Sequence, residues 1–479
     1  MANYTANQLS GEGSPCESLT GGTTYTLTLS NPLSGSAYFT FETKRDNDGF
    51  YNGSNESAGG VINNLSLVSS LISSPYIFSF VINSGGGSFD FTPTVTMAAS
   101  GSFLRTTGET TLQITGGGVS LNDANFNSAI TLWFTNQASA EATYGLIGDW
   151  NTTAVTNMGN AFTNRSTFNE NINSWDVSNV IVMSQMFAFA TSFNQDLTGW
   201  NVSKVDTMAS MFNNATAFNG DITTWVTTSV IDINSMFDDA TSFNQNISSW
   251  DTSNVTRFDK MFLNATSFNQ NISSWDTSNV TRFDKMFKGA TAYNNGGVPL
   301  NSWNVSGGTR MDNMFGGATA FNQEIKDWDT RNVTRFDKMF MNASLYNQFM
   351  DTVTTEITPG VFEANKWSVD QATDMSDMFS GALAFDQTIG RWLTNGNQPS
   401  GRALWTTAAR MFGTPGAADA VTLSVANYNV LLIAWKNGPS PQNVSFSGGD
   451  SQYDDNLAIS ARQSFIDNEG WTIVDGGQV

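Results

Sequence analysis

A column of acidic and amide side chains offers the most regular chemistry in the sequence. Six Asp or Asn residues each follow a Trp, spaced by 25, 28 or 50 residues: Asp176, Asn201, Asp251, Asp276, Asn304 and Asp329. If each Trp points inward from a strand, the next residue points away from the core, along a concave face. Carboxylates and amides in a line there would contact hydroxyl-rich glycans or Ca²⁺. A solvated polar face is the simpler alternative, because a polar residue beside a buried Trp needs no ligand.

The composition argues against most catalytic sites. The 479 residues include no His and a single cysteine, Cys16. The chain therefore lacks the imidazole of a Ser-His-Asp or Cys-His site and the thiolates of a zinc cluster. No GxxxxGK[ST] phosphate-binding loop occurs, and nothing marks a particular pair of carboxylates for glycoside hydrolysis. We therefore predict no catalytic residues and no cofactor, and we assign no metal site.

The charge balance also bears on possible partners. The net charge is −21, from 42 acidic and 21 basic residues, which opposes binding to nucleic acid or to anionic lipid. Charged residues make up 13% of the chain against a usual ~25%, so the surface must be polar but largely neutral. The motif Arg-Phe-Asp-Lys at 257–260 recurs at 282–285 and 335–338. We predict that its charged residues lie at exposed helix positions, as surface ion pairs or contacts between repeats.

The elements that must position these residues belong to an internal repeat. Trp residues recur at 150, 175, 200, 225, 250 and 275, and then at 303, 328, 367 and 392. Eleven and twelve positions after most of them stands a Met-Phe pair, followed by an aromatic-Asn pair such as Phe243-Asn244. Extra residues lengthen the repeat near 295–299, 348–363 and 395–408. We predict loops there, either as tolerated slippage of duplication or as carriers of binding.

One repeat cannot bury its own apolar face, and this predicts a stacked solenoid. Between 255 and 265 the apolar spacings of 3, 3, 1 and 3 favour a short helix. The preceding segment suits a brief strand with Trp250 pointing inward. A second polar column, at Asn179, Asn254, Asn279 and Asn332, fits a ladder in which side-chain amides satisfy backbone groups of the turns.

Repeats such as FNQNISSWDTSNVTRFDKMF resemble the leucine-rich-repeat variant of BspA-like surface proteins. The resemblance covers roughly residues 124–412, and the segment from VANYNVLLIAW to GWTIVDGG resembles the closing module of such proteins. It implies a solenoid on an exposed surface, linked to adhesion or recognition, with no shared enzymatic activity.

The N-terminal part has a different pattern. Strand-like alternation at 24–30, 37–42, 76–83 and 89–97, between Gly- and Asn-rich turns, predicts an antiparallel β-sandwich. The expected fold is thus a mainly β sandwich followed by an α/β leucine-rich-repeat-like solenoid. Its predicted parts are an anchoring sandwich over 1–115, a hinge and helical cap over 116–148, a solenoid over 149–412 and a C-terminal capping module over 413–479.

Two functions of different class follow. In the first, the chain is a structural protein of a virion, such as a bacteriophage decoration, head-fibre or tail protein. It would dock on other virion proteins through 1–115, as a homo-oligomer or in many copies of an assembly, and bind host glycans or proteins weakly through the solenoid. The start of the sequence shows no secretory signal, and no stretch of it approaches the ~20 apolar residues of a membrane span; we take this to favour the virion surface. The alternative is a bacterial cell-surface adhesin, and a carbohydrate-active enzyme is the weakest third option.

Overall fold

The computed structural model describes residues 120–350, 367–369, 371–393, 407–437 and 441–479, together with the backbone of the strands outside these ranges. The chain divides into two compact units, Met1–Thr152 and Thr153–Val479. The finer boundaries predicted at 115, 148 and 412 stay predictions. The interruption predicted over 395–408 lies outside the described residues, except for 407 and 408.

The first unit begins with short strands whose pairings are all antiparallel. The strands are β1 (Tyr4–Thr5), β2 (Leu9–Ser10), β3 (Thr24–Leu27), β4 (Ala37–Thr43), β5 (Tyr51–Ser54), β6 (Tyr76–Ile82), β7 (Thr94–Met97), β8 (Thr111–Leu112) and β9 (Ile114–Gly116). They pair in the orders β2-β3-β7-β5, β6-β4-β9 and β1-β8. Strands β3, β4, β6 and β7 fall in the runs for which alternation predicts strands. The sandwich stays a prediction, because the side-chain packing of these strands lies outside the described residues.

Two helices close the first unit, in the region where the sequence predicts helical structure. Helix α1 (Phe126–Thr135) buries one face through Phe126, Ala129, Ile130 and Trp133. Helix α2 (Gln137–Tyr144) follows after a break at Asn136. The side-chain oxygen of Asn136 accepts the backbone N–H of Ser139, so it caps the second helix and explains why the two helices do not merge.

In the second unit, consecutive repeats lie on one another as coils of a stack. A single residue in each coil forms a parallel β-bridge with its equivalent in the next coil. These bridge residues are Asn157, Val182, Thr207, Asp232, Arg257, Arg282, Arg310, Arg335, Asp374 and Thr407. We call this set of coils the repeat stack. The bridges continue across the first two insertions. Arg282 pairs with Arg310, and Arg335 pairs with Asp374, although extra residues separate the members of each pair.

The helix predicted over 255–265 is wrong. This segment forms successive turns, with Lys260 and Asn264 in the left-handed region at φ 59° and 54°. Met261 and Ala265 donate their N–H groups to carbonyls three residues earlier, whereas Phe258, Lys260, Phe262 and Asn264 donate theirs to the next coil. Alternate N–H groups thus leave the coil, which a helix does not allow. The apolar spacing fits both conformations, so spacing alone does not separate them.

The predicted strand around Trp250 is also absent. In this repeat the residue that forms the β-bridge to the next coil is Arg257, seven positions after Trp250. The segment after Trp250 is a turn. Trp250 lies in the core, the chain turns after it, and the β-bridge forms only after Val255. The column next to the Trp residues therefore does not lie on a strand.

Three files of aromatic side chains form the core of the repeat stack. The Trp residues, the Phe of each Met-Phe pair and the aromatic residue before each Asn are almost fully buried. Neighbouring rings of the Met-Phe file stack at centroid distances of 5.3 to 5.7 Å. Each of these side chains stabilises the stack by ~1.5–3 kcal/mol through burial. Stacking of aromatic pairs adds about 0.5–1.5 kcal/mol.

The described parts of the insertions contain short elements of their own. The first contains a 3-10 turn at Asn295–Gly297. The second contains β10 (Glu356–Thr358) and β11 (Val361–Phe362), which pair antiparallel. A further 3-10 turn at Gly390–Leu393 precedes the third interruption. The parallel bridges on either side of the first two insertions are kept.

The second unit ends in a small α/β module. Strand β12 (Thr407–Ala408) pairs parallel with β13 (Ser445–Ser447), which pairs parallel with β14 (Thr472–Val474). Helix α3 (Val425–Lys436) is capped by Ser424 and packs its Tyr428, Leu431 and Trp435 inward. Helix α4 (Asn456–Glu469) begins at the cap Asp455 and ends at Gly470, which has φ 72°. None of the helices in the described ranges has the length and apolar character of a membrane-spanning segment.

Candidate functional surfaces of the repeat stack

The structure places the six predicted column residues at equivalent positions of six coils, but on turns. In each, the side-chain Oδ1 accepts the backbone N–H two residues later, as Asp251 does from Ser253 at 2.9 Å and Asn304 does from Ser306 at 3.1 Å. The same bond holds at Asp176, Asn201, Asp276 and Asp329. All are exposed except Asp329, which is half-buried. One oxygen of each residue thus supports a turn, which is the local reason for Asp or Asn at this position.

Three Asp residues of this column are surface carboxylates with lowered pKa values. Hydrogen bonds from the Ser178 side chain and backbone lower the pKa of Asp176, and Ser253 and Ser278 do the same for Asp251 and Asp276. Val226, exposed in the same line, interrupts the column. Within the described ranges, no three His, Cys, Asp or Glu side chains converge as they would around a metal ion.

The predicted amide ladder is confirmed. The side-chain N–H of Asn254 donates to the carbonyl of Thr228 in the preceding coil at 2.8 Å, and that of Asn279 donates to Ser253 at 2.7 Å. Asn179 and Asn332 make the equivalent bonds. Where the column holds Lys204 instead, its Nζ donates to Oδ1 of Asn179 at 2.7 Å. This column therefore joins the turns of adjacent coils.

A second asparagine ladder was missed by the sequence interpretation. The Asn after each aromatic residue accepts, through Oδ1, the backbone N–H of its equivalent in the next coil, as Asn244 does from Asn269 at 3.0 Å. The ladder comprises Asn169, Asn194, Asn219, Asn244, Asn269, Asn294, Asn322, Asn347 and Asp386. At its end, Asp386 accepts the N–H of Ser424, the cap of α3. The recurring aromatic-Asn-Gln triplet was the available signal, because each Gln following a ladder Asn also donates to the preceding coil.

The Arg and Asp residues of the Arg-Phe-Asp-Lys motif do not lie on an exposed helix, which corrects the sequence prediction. Each Arg is a bridge residue, and its guanidinium binds the carboxylate two positions later through Nε and Nη2. The pairs are Arg257–Asp259, Arg282–Asp284, Arg310–Asp312 and Arg335–Asp337. The Asp side chains are 3 to 10% exposed and the Arg side chains 35 to 41%. Buried carboxylates thus orient a column of partly exposed guanidinium groups.

A Lys follows three of these Asp residues and adds a further positive charge. Lys260, Lys285 and Lys338 are half-buried, and none forms an ion pair with another described residue. The coil of Arg310 has Asn313 at this position. We call the seven residues Arg257, Arg282, Arg310, Arg335, Lys260, Lys285 and Lys338 the basic stripe. Counted together with the four Asp residues that its Arg residues bind, the stripe has seven positive and four negative charges, a net charge of +3. The rest of the chain has 14 basic and 38 acidic residues, a net charge of −24.

One carboxyl beside the basic stripe has a strongly altered acidity. Burial, and next the adjacent Asp239, raise the pKa of Asp238 to about 7, while Lys260 acts in the opposite direction. Its Oδ1 has no hydrogen-bond partner among the described residues. Asp238 therefore exchanges a proton near neutral pH, where ordinary carboxyl groups are fully ionised.

Comparison with known families gives one match. The model of the family described as "Mycoplasma protein of unknown function, DUF285" matches residues 129–237, 220–297, 297–364 and 361–413. These segments together cover more than half of the chain and coincide with the repeats. No curated protein and no solved structure matches the chain.

Proposed function

Because this chain belongs to the Mycoplasma family of unknown function DUF285, whose repeats are of the BspA-like kind, we propose that it is a non-enzymatic surface protein whose repeat stack recognises and adheres to a partner. The observation that carries this proposal is the asparagine ladder that runs through nine consecutive coils to α3. It holds equivalent side chains of successive coils in fixed register, so each surface column repeats the same group at a constant interval. Such a surface suits a repetitive or multivalent partner.

The location of the protein is part of the proposal. A bacterial cell surface is favoured by the family match, whose description refers to Mycoplasma proteins. A virion surface, with docking through residues 1–115 on other virion proteins, is the second candidate. Either location calls for a polar and largely neutral exterior, which the low content of charged residues supports.

The proposal is tested by localisation in the source culture. Antibody-gold labelling against the repeat stack, combined with peptide mass spectrometry of density-purified particles and of washed cell envelopes, separates the two locations. Gold and stoichiometric peptides on envelopes support the cell-surface adhesin, and the same signals on particles support the virion protein. Peptides found only in the soluble cell fraction, with neither surface labelled, would refute a surface role.

A further inference from the structure

We propose that the basic stripe is a binding site for a linear anionic polysaccharide, one that carries carboxylate or sulfate groups at regular intervals. The inference rests on the proposed function, since it names the chemistry of the partner that the repeat stack recognises. It concerns a different surface from the Asp and Asn column that the sequence singled out.

The first argument is the segregation of charge. A chain of net charge −21 holds, on four adjacent coils, a stripe of net charge +3. Acidic surroundings repel anions in general, so attraction is confined to this line and the partner is steered along it. The stripe contains no aromatic side chain on which nucleobases would stack, and base stacking is the usual basis of binding to single-stranded nucleic acid. The pattern therefore favours a carbohydrate polymer over nucleic acid.

The second argument is preorganisation. Nε and Nη2 of each Arg are held by a buried Asp. In Arg282, Arg310 and Arg335, Nη1 forms no ion pair with another described residue, so its N–H donors can bind another acceptor. In this network Arg257 Nη1 lies 3.9 Å from Asp232 Oδ2 at the edge of the stripe, and Arg282 Nη2 lies 3.8 Å from Asp259 Oδ2. Guanidinium groups held in this way lose little conformational freedom when an anion binds.

The third argument is the backbone at the Lys residues. Lys260, Lys285 and Lys338 have φ values of 59°, 60° and 59°, a left-handed conformation that favours Gly and Asn. Asn160 and Asn313 occupy this place in other coils. The repeated choice of Lys is not explained by backbone preference or by an ion pair within the described residues, whereas an external anion would explain it.

The fourth argument is the neighbouring file of hydroxyl groups. Thr256, Thr281, Thr309 and Thr334 precede the four Arg residues, and each donates its hydroxyl proton to the backbone carbonyl of the preceding coil. The oxygen of each hydroxyl keeps lone pairs that accept from sugar hydroxyl groups. Cationic groups beside acceptors, repeated coil by coil, match an acidic sugar polymer, which carries anions and hydroxyl groups in alternation.

The test measures binding of the purified full chain to immobilised dextran sulfate, polygalacturonate and neutral dextran, at low and at physiological ionic strength. We expect binding to at least one anionic polymer, no binding to neutral dextran, and weakening with salt. Tighter binding to dextran sulfate indicates a sulfated source, and tighter binding to polygalacturonate indicates a uronic acid polymer.

Matched variants locate the site. The double variant Lys260→Gln/Lys285→Gln should lose affinity by about 30-fold, since each Lys near an anionic surface contributes about fivefold. Gln185 occupies the same left-handed place in another coil at φ 56°, so the fold tolerates this change. The control double variant Lys204→Gln/Lys326→Gln makes the same change in net charge outside the stripe and should leave affinity within about twofold. Conversely, Asn313→Lys completes the Lys column and should strengthen binding about fivefold.

Three results would overturn the proposal: no binding of either anionic polymer at low salt, equal losses in the two double variants, or equally tight binding of single-stranded DNA. Circular dichroism and melting curves of each variant show that the repeat stack is intact. Because these assays use the isolated chain and defined polymers, their failure is distinct from failure of the surface localisation. A protein found on a cell surface without affinity for polyanions would keep the proposed function and lose this inference.

Discussion

Two kinds of buried tyrosine in this protein make opposite predictions for the same chemical change. Tyr293 takes the place of a Phe in one aromatic file of the core, and its hydroxyl is buried without a hydrogen-bond partner among the described residues. Tyr428 in α3 is equally buried, but its hydroxyl donates to Oδ2 of Asp475 at 2.8 Å. We predict that Tyr293→Phe stabilises the protein and that Tyr428→Phe destabilises it.

The magnitudes follow from the surroundings of each hydroxyl. The ring of Tyr293 stacks between Phe268 at 5.8 Å and Phe321 at 6.0 Å, so Phe keeps every ring contact. An unpaired buried hydroxyl costs about 1–3 kcal/mol, and the small void left behind costs about 0.4 kcal/mol. The net gain is about 1 kcal/mol or more. Loss of the bond from Tyr428 to a carboxylate costs about 1.5–3 kcal/mol, although Arg462 continues to bind Asp475.

The assay is thermal and urea unfolding of the full chain and both variants, followed by circular dichroism and by Trp fluorescence. For Tyr293→Phe we expect an increase in Tm of about 2 °C, and for Tyr428→Phe a decrease of similar or larger size. Tyr346→Phe repeats the first change at another coil, where the hydroxyl is also buried and unpaired. Destabilisation by Tyr293→Phe and Tyr346→Phe would refute the reasoning, because it would mean that these hydroxyl groups have partners.

Three further predictions address columns of the repeat stack. Burial raises the folded pKa of Asp238 to about 7, above the unfolded value, so the free energy of unfolding should fall as pH rises from 4 to 7. Asp238→Asn should abolish this fall and raise the free energy of unfolding at pH 8 by about 2 kcal/mol in urea titrations, which is roughly half of the full shift after a discount for solvent screening. Asn244→Ala should cost about 1 kcal/mol, since it leaves the Asn269 N–H without its acceptor, whereas Asn244→Asp, which copies Asp386, should be tolerated in the same unfolding assay. Arg282→Val should cost about 2–4 kcal/mol by isolating the buried Asp284, and the double variant Arg282→Val/Asp284→Ser, which copies Val182 and Ser184, should recover most of that loss; no recovery would contradict the pairing.

The sequence predicted what the core contains but not how the backbone runs past it. The periods of Trp and Met-Phe identified the buried files, and the amide column was predicted to bond to backbone groups of the turns, because both depend on side chains repeated in register. The conformation between 255 and 265 was missed for a physical reason. Half of its N–H groups bond to another coil, and such bonds leave no trace in the apolar spacing of one repeat. A local clue existed at the second left-handed position, where Asn164, Asn214, Asn264, Asn342 and the glycines Gly289, Gly317 and Gly381 recur.

The predicted site was only partly recoverable from sequence because a polar residue has the same appearance whether it serves the fold or a ligand. Asp251 and its equivalents support turns, which accounts for their column without any ligand. The Arg residues were interpreted as exposed ion pairs, since the sequence does not show that Asp259 and its equivalents are buried beneath them. In the folded protein the carboxylates are buried and the guanidinium groups are partly exposed.

Variation among the coils separates positions that every coil needs for stacking from positions that change. The aromatic files and the asparagine ladder recur in nearly every coil, because each coil must stack on two neighbours. The bridge residue and the position two residues later vary together: Val182 with Ser184, Thr207 with Ala209, and Arg282 with Asp284. An Arg is introduced only together with the Asp that neutralises its inner side, so a coil acquires charge without loss of the stack. The interior of the repeat stack is therefore nearly constant from coil to coil, while the bridge residue and the residue two positions later change together. The Arg-Asp pair occurs on four adjacent coils, those of the basic stripe.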